Sequence, residues 1–315
     1  MKLYLVIPCY NEQEVLAETA RRTSEKLRTL MESGKISKES RICFVDDGSR
    51  DATWQIIDGL CNEDNIFCAI KLSRNRGHQN ALLAGLMNVK DRCDIAISLD
   101  ADLQDDIGAI DRMIDKYNEG CDVVYGVRSS RKTDKAFKRI TARAFYKIMR
   151  AMGVELVYDH ADYRLMSKRA IEALSEFKEV NLFLRGLVPL VGFKSATVEY
   201  ERSKRFAGKS KYPLKKMLSF AFEGVTSMSI KPIRMISVLG FLIFLASFGM
   251  LAYSLISHFT GNTVEGWTSI VVSVWAIGGL QLLAIGVIGE YIGKIYLETK
   301  SRPKYIIDKR KNLGE

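Results

Sequence analysis

Two stretches without a charged side chain set the first constraint on this chain. Residues 235–257 and 267–289 contain no Asp, Glu, Lys or Arg. As helices rising about 1.5 Å per residue, each reaches roughly 35 Å, enough to cross a hydrocarbon core of about 30 Å with some tilt. A wholly water-soluble fold is not expected. A many-span transporter is not expected either, since two spans are few for a substrate pathway.

Charge is distributed around these stretches. The chain has 315 residues and a net charge of +10. Residues 200–234 hold nine Lys/Arg against Glu201 and Glu223, and residues 290–315 hold seven against four acids. Residues 258–266 contain no Lys or Arg. The basic excess thus flanks the spans, which places both termini in the cytoplasm and the short connection outside. A nucleic-acid binder would carry its excess on the globular part, so no nucleic-acid partner is expected. Basic residues beside a membrane also attract anionic headgroups. No secretory signal is expected, because Met1-Lys2 leads directly into a short strand-like run. Six cysteines all fall within the first 121 residues, without C-x-x-C spacing, and read as reduced core residues.

Apolar, β-rich runs at 3–7, 41–46, 66–72, 94–99 and 122–126 alternate with helical periodicity at 12–31, 52–61, 79–89 and 107–119. That alternation predicts an α/β domain with a mostly parallel sheet covered on both faces. Ligands of such sheets bind beyond the carboxyl ends of the strands, and the polar clusters fall there. Pro8-Cys9-Tyr10-Asn11-Glu12 follows the first strand, Asp46-Asp47-Gly48-Ser49 the second, and Asp100-Ala101-Asp102-Leu103-Gln104 the fourth. Neither a dinucleotide fingerprint nor a P-loop is present. Further on, 135–152 reads as a basic amphipathic helix, 159–164 as a polar loop opening into another element, and 191–200 as a strand. Residues 213–230 read as an amphipathic helix beginning at Pro213, suited to the bilayer interface.

Asp100, Asp102 and Gln104 would gather two carboxylates and an amide oxygen on one spot. Hard oxygen donors of that kind suit Mg²⁺ or Mn²⁺, with phosphate oxygens and water completing the shell. A solvated acidic loop or a helix cap would need no cation. Asp46 to Asp51 likewise serves either ligand binding or a turn and helix cap.

Together these blocks resemble the signature of family 2 glycosyltransferases with the GT-A (Rossmann-like) fold. Asp159-His160-Ala161-Asp162-Tyr163-Arg164-Leu165, Arg185-Gly186-Leu187 and Arg205-Phe206-Ala207-Gly208-Lys209-Ser210-Lys211-Tyr212 are similar to blocks of the polyisoprenyl-phosphate glycosyltransferases. These include dolichyl-phosphate mannose synthase and the bactoprenol glucosyltransferases. The two C-terminal spans, and Gly289-Glu290-Tyr291-Ile292-Gly293-Lys294-Ile295-Tyr296 after them, resemble the bacterial branch.

The resemblance implies roles. Pro8, Tyr10, Glu12, Val45 and Asp47 would hold the nucleoside, with Asp47 at the base edge and Ala101 near the ribose. Asp100, Asp102 and Gln104 would hold the metal bridging the diphosphate, and Arg128 would face the phosphates. Arg205 and Lys211 would close on the diphosphate or acceptor phosphate from a loop flexing at Gly208; attraction to the bilayer is the competing role. Asp162 would orient a sugar hydroxyl, act as a base, or support Arg164. Three departures stand out: Arg50-Asp51-Ala52-Thr53 lacks the usual glycine before threonine, Ala161 replaces a glycine, and Asp105-Asp106 replaces a proline-containing pair.

The expected organisation is a cytoplasmic GT-A catalytic domain over 1–212, an interfacial amphipathic helix over 213–233, two transmembrane helices within 234–290, and a basic cytoplasmic tail over 291–315. The expected reaction is inverting transfer of a hexose, glucose from UDP-glucose in the first instance, to undecaprenyl phosphate at the bacterial inner membrane. GlcNAc, galactose, mannose or aminoarabinose-type donors, a processive polysaccharide synthase, and a non-catalytic scaffold are the alternatives. The absence of a Q-x-x-R-W block argues against the synthase. Gly278, Gly279, Gly286, Gly289 and Gly293 permit close helix contact and suggest a homo-oligomer.

Overall fold

A computed structural model describes residues 1–129, 152, 160–201, 225–260 and 266–313. The elements run β1 (Leu3–Cys9), α1 (Leu16–Glu32), β2 (Arg41–Asp46), α2 (Thr53–Glu63), β3 (Phe67–Leu72), α3 (His78–Val89), β4 (Ile95–Ser98), α4 (Ala109–Asn118) and β5 (Val123–Arg128). They continue with β6 (His160–Ser167), α5 (Lys168–Ser175), α6 (Leu184–Leu190), β7 (Ser195–Tyr200), α7 (Lys231–Phe259), α8 (Trp267–Lys300) and β8 (Ile307–Lys311).

The eight strands form one sheet in the order β7-β5-β6-β4-β1-β2-β3-β8. The predicted parallel core is present: β1 pairs in parallel with β2 and β4, and β2 with β3. Every residue of β1 is buried. Its alternate side chains enter two separate cores. Leu3, Leu5 and Ile7 pack with α1, α2 and α4 on one face. Tyr4 and Val6 pack with α3, α5 and α6 on the other. A strand covered on both sides must be apolar throughout, and each fully buried Leu or Ile contributes roughly 1.5–3 kcal/mol. Gly85 lets α3 lie close on the sheet, since a Cβ there would come within 2.3 Å of Val6 Cγ1. The six cysteines are free and buried.

Five elements differ in kind or extent from the sequence reading. The element expected after a loop at 159–164 is a strand that already begins at His160 and runs to Ser167, inserted antiparallel between β5 and β4. Its alternation sends Tyr163 and Leu165 to one core and Met166 to the other, a two-sided burial that hides the usual polar/apolar signal. Leu184–Leu190 is a helix, and β7 begins only at Ser195. The helix carries Pro189 near its end, which obscures its pattern. Within the expected basic tail, residues 291–313 are described and carry regular structure. Residues up to Lys300 extend α8, and Ile307–Lys311 adds to the sheet antiparallel to β3. This edge strand is charged, as exposed edges commonly are. It is held by Lys311 on Asp58 at 2.9 Å and by Asn312 Nδ2, which donates to the carbonyls of Cys61 and Phe67 at 2.7 and 2.9 Å.

The two long helices α7 and α8 span 29 and 34 residues. Large apolar side chains face outward on both, with Phe241 60% and Leu282 72% exposed. Among the described residues one stretch, Ala276–Lys300, is long and apolar enough to cross a membrane. α7 begins at Lys231, inside the span assigned to the amphipathic helix. Residues 213–224 of that helix, residues 135–151 of the helix expected at 135–152, Arg205 and Lys211 lie outside the described residues.

Candidate active site at the carboxyl ends of the strands

Three loops meet where β1, β2 and β3 end. Asn11, at positive φ (52°), presents its backbone N–H to Ser49 Oγ at 3.0 Å and its Oδ1 to the Arg50 N–H at 2.9 Å. Glu12 N–H donates to Thr53 Oγ1 at 2.9 Å, and Ala52 N–H to Gln13 Oε1 at 3.0 Å. The β1 and β2 loops are thus laced together, and the departure at Ala52 leaves the lacing intact. Gly48, at φ 65°, touches the third loop: a Cβ there would sit 2.5 Å from the carbonyl carbon of Arg74.

Asp47 fastens that third loop. Its Oδ1 accepts from the Arg76 N–H at 2.7 Å and its Oδ2 from the Gly77 N–H at 2.9 Å. It is 2% exposed. Burial raises its pKa, and the two amides oppose that rise. Neighbouring Asp46 is fully buried and also raised, chiefly by desolvation. Val45 is fully buried, beside Gly85 of α3, so its side chain serves packing. Pro8 pairs with it in register, and Tyr10 and Glu12 are half-buried just beyond.

The fourth strand delivers the acidic turn. Ala101 is 5% exposed, and its carbonyl accepts from Thr19 Oγ1 at 2.7 Å. Leu103 takes positive φ (56°), and Gln104 N–H donates to Asp102 Oδ1 at 3.2 Å. The turn therefore doubles back on itself and gathers its polar groups. Asp106 Oδ1 accepts from the Gly108 N–H at 2.8 Å in the turn that leads into α4. Asp105 is buried, accepts from the Tyr200 hydroxyl at 2.5 Å, and has its pKa raised by burial and by Asp100 and Asp102. Arg128, at the end of β5, lies near Tyr200 and Asp105.

Asp162 sits across from this turn, on β6. Arg185 grips it from α6, with Nε 3.2 Å from Oδ1 and Nη2 3.1 Å from Oδ2. Buried Arg164 adds a contact at 3.1 Å. Burial alone would raise the Asp162 pKa, but Arg185, His78 and Arg164 outweigh it and hold the carboxyl well below the usual range. His78 opens α3 and stands between the two carboxylates, its Nε2 3.6 Å from Asp100 Oδ1 and 3.7 Å from Asp162 Oδ2. Asp105-Asp106 stands out in the sequence as extra charge that would disturb metal binding or cap a helix, whereas no role is read there for His78 or Tyr200, and none for Arg185 beyond its motif. Each is brought in by a different element, so no local spacing marks them.

Among the described residues, no three His, Cys, Asp or Glu side chains converge to enclose a cation. The donors of the acidic turn are nonetheless hard oxygens. Asp105 Oδ2 is buried beside them with no hydrogen-bond partner among the described residues. A divalent cation suits such a set if other oxygens complete its shell.

The model for Glycosyl transferase family 2 matches residues 4–175. YkoT of Bacillus subtilis (strain 168), named an uncharacterized glycosyltransferase, is 54% identical over 306 residues, covering 97% of this chain and 91% of its own. The bactoprenol glucosyl transferase of Shigella phage SfX is 40% identical over 315 residues, 99% and 100% of the two chains. The prophage bactoprenol glucosyl transferase homolog of Escherichia coli (strain K12) is 39% identical over 315 residues, again 99% and 100%. Strand-end loops of this construction, an acidic turn facing an arginine-bound aspartate, and matches of this extent lead to one assignment: the chain is a glycosyltransferase and belongs to glycosyl transferase family 2.

Proposed function

We propose that this protein transfers a hexose from a nucleoside diphosphate donor, UDP-glucose in the first instance, to a polyprenyl phosphate at the cytoplasmic face of a bacterial inner membrane. One observation carries the reading. The 40% identity to a bactoprenol glucosyl transferase covers 99% of this chain, including α7 and α8 as well as the strand-end site. The outward apolar surface of those helices supports a two-span membrane hairpin, with 1–212 as the catalytic domain and both termini cytoplasmic.

In this reading Pro8, Tyr10, Glu12 and Ala101 line the nucleoside, Asp47 holds the 73–77 loop at the base edge through the Arg76 and Gly77 amides, and Arg128 faces the diphosphate. Val45 supports them from beneath. Asp100, Asp102 and Gln104 would hold Mg²⁺ or Mn²⁺, which when bound neutralises charge on the leaving diphosphate. Arg205 and Lys211 add positive charge for the diphosphate or acceptor phosphate. A phosphomonoester has a second pKa of about 6, so the acceptor oxygen arrives ionised and needs alignment more than deprotonation. Asp162 suits alignment, because an ionised carboxylate held by Arg185 and Arg164 orients a sugar hydroxyl and is a poor proton acceptor. The phosphate oxygen forms a bond to the anomeric carbon as the bond to the diphosphate breaks, which inverts that centre. Self-association through Gly278, Gly279, Gly286, Gly289 and Gly293 belongs to the same reading. Among the described residues, none of these has a neighbour within 4 Å of its Cβ position.

The test is radiolabel transfer from a panel of nucleotide sugars to undecaprenyl phosphate with Mg²⁺ or Mn²⁺, comparing wild type with Asp102→Asn. Metal-dependent lipid product from one donor, lost in the variant, supports the reading and identifies the sugar. No lipid product from any donor, with folded protein, overturns it.

A further inference from the structure

Two tyrosines from β6 and β7, the strands on either side of β5, clasp the segment that follows the acidic turn. Tyr200, 2% exposed at the end of β7, donates its hydroxyl to Asp105 Oδ1 at 2.5 Å. Tyr163, fully buried on β6, donates to the carbonyl of Asp106 at 3.0 Å. Their rings meet edge to face with centroids 5.2 Å apart. Tyr200 is also the register partner of Arg128 in the parallel β5–β7 pair, which sets the two side chains next to each other on one face of the sheet. One phenolic oxygen therefore sits between the acidic turn and the arginine at the end of β5. Both neighbours keep an unfilled polar valence: Asp105 Oδ2 and Arg128 Nε are buried and have no hydrogen-bond partner among the described residues. Buried polar groups left in that state are costly.

We propose that Tyr200 is a positioning residue for the donor diphosphate, acting through Asp105 on the turn bearing Asp100, Asp102 and Gln104 and through Arg128 on the opposite side. The proposal rests on the reading that this site binds a nucleoside diphosphate. Tyr200 itself is too deeply buried to meet a ligand. Its hydroxyl fixes the distance between the carboxylate side and the arginine side, which must both reach the same pair of phosphates. The alternative is a purely structural tyrosine that holds β7 to the sheet.

The test is calorimetric binding of UDP with MgCl₂ to the full-length protein in detergent micelles. Tyr200→Phe keeps the ring on Tyr163 and removes only the hydroxyl. It is expected to raise the Kd about tenfold, as loss of one hydrogen bond to a charged group does. Asp105→Ala is expected to do the same. The double variant is expected to be no worse than either, because both break one chain of contacts. Asp105→Asn keeps an acceptor for the hydroxyl and is expected to recover most of the loss. A wild-type Kd in folded Tyr200→Phe, with only a lowered melting temperature, would show a structural role and overturn the proposal; so would strictly additive effects. Should Asp105→Ala not fold, the comparison of Tyr200→Phe with Asp105→Asn decides, and equal Kd values overturn the proposal. Failure of the wild-type protein to bind UDP would instead remove the underlying reading, and the proposal with it.

Discussion

Glu298 and Asn181 are joined across 117 residues of sequence. Glu298 Oε1 accepts from the Asn181 backbone N–H and from its Nδ2, both at 2.8 Å, and Oε2 accepts from the Val180 N–H at 2.8 Å. The contact ties the end of α8 to the segment leading into α6, which carries Arg185 onto Asp162. Glu298→Ala is expected to cost about 2 kcal/mol of local stability, since it strands backbone donors. Faster hydrogen exchange at Val180 and Asn181, together with a lower transfer rate, would register it. Unchanged exchange would show that the latch contributes nothing.

Asp47 spends both carboxylate oxygens on the Arg76 and Gly77 amides. Asp47→Ala is expected to free the 73–77 loop and to cost roughly 2–4 kcal/mol, two lost charge-assisted bonds. Asp47→Asn keeps one acceptor oxygen and should fall between. Thermal melting ranks the three proteins, and the same order in nucleotide affinity would show that the loop forms part of the donor site.

Removal of the guanidinium at position 185 shifts a pH dependence in a defined direction. Burial pushes the Asp162 pKa up, and Arg185 is the strongest of the charges that bring it down. In Arg185→Met the carboxylate should therefore protonate at higher pH, and the acid limb of the pH–rate profile should move upward. The same depressed pKa contributes stability that is present above the unfolded value of about 3.9 and is lost as pH falls below it toward the folded value. Asp162→Asn should flatten that acid-side decline, which urea unfolding from about pH 5 down to about pH 2 would measure.

The last strand is also expected to be essential. Truncation before Ile307 uncovers the edge of β3 and removes Leu313, which is 4% exposed in the core. A loss of about 2–5 kcal/mol and a tendency to aggregate follow from the missing apolar contacts and the open edge. Light scattering and melting of the truncated protein check both. A monodisperse protein of wild-type stability would contradict the role given to β8.

Sequence by itself determined the frame. Strands buried on both faces must be apolar, so β1 to β5 stand out as runs, and the helices between them show their period. Turn-forming residues and carboxylates at strand ends located the acidic turn and the Asp46–Asp47 pair. Long charge-free stretches marked α7 and α8. Tertiary structure alone decided which distant groups meet. His78 reaches Asp100 and Asp162 because α3 starts beside the ends of β4 and β6; Arg185 finds Asp162 because α6 packs over β6. Tyr200 comes to Asp105 through strand register. A polar strand such as β8 carries no hydrophobic pattern, since an edge needs only backbone partners and a few side-chain ties. Periodicity records what a residue does within its own element, whereas a site is made by contacts between elements, which no local pattern encodes.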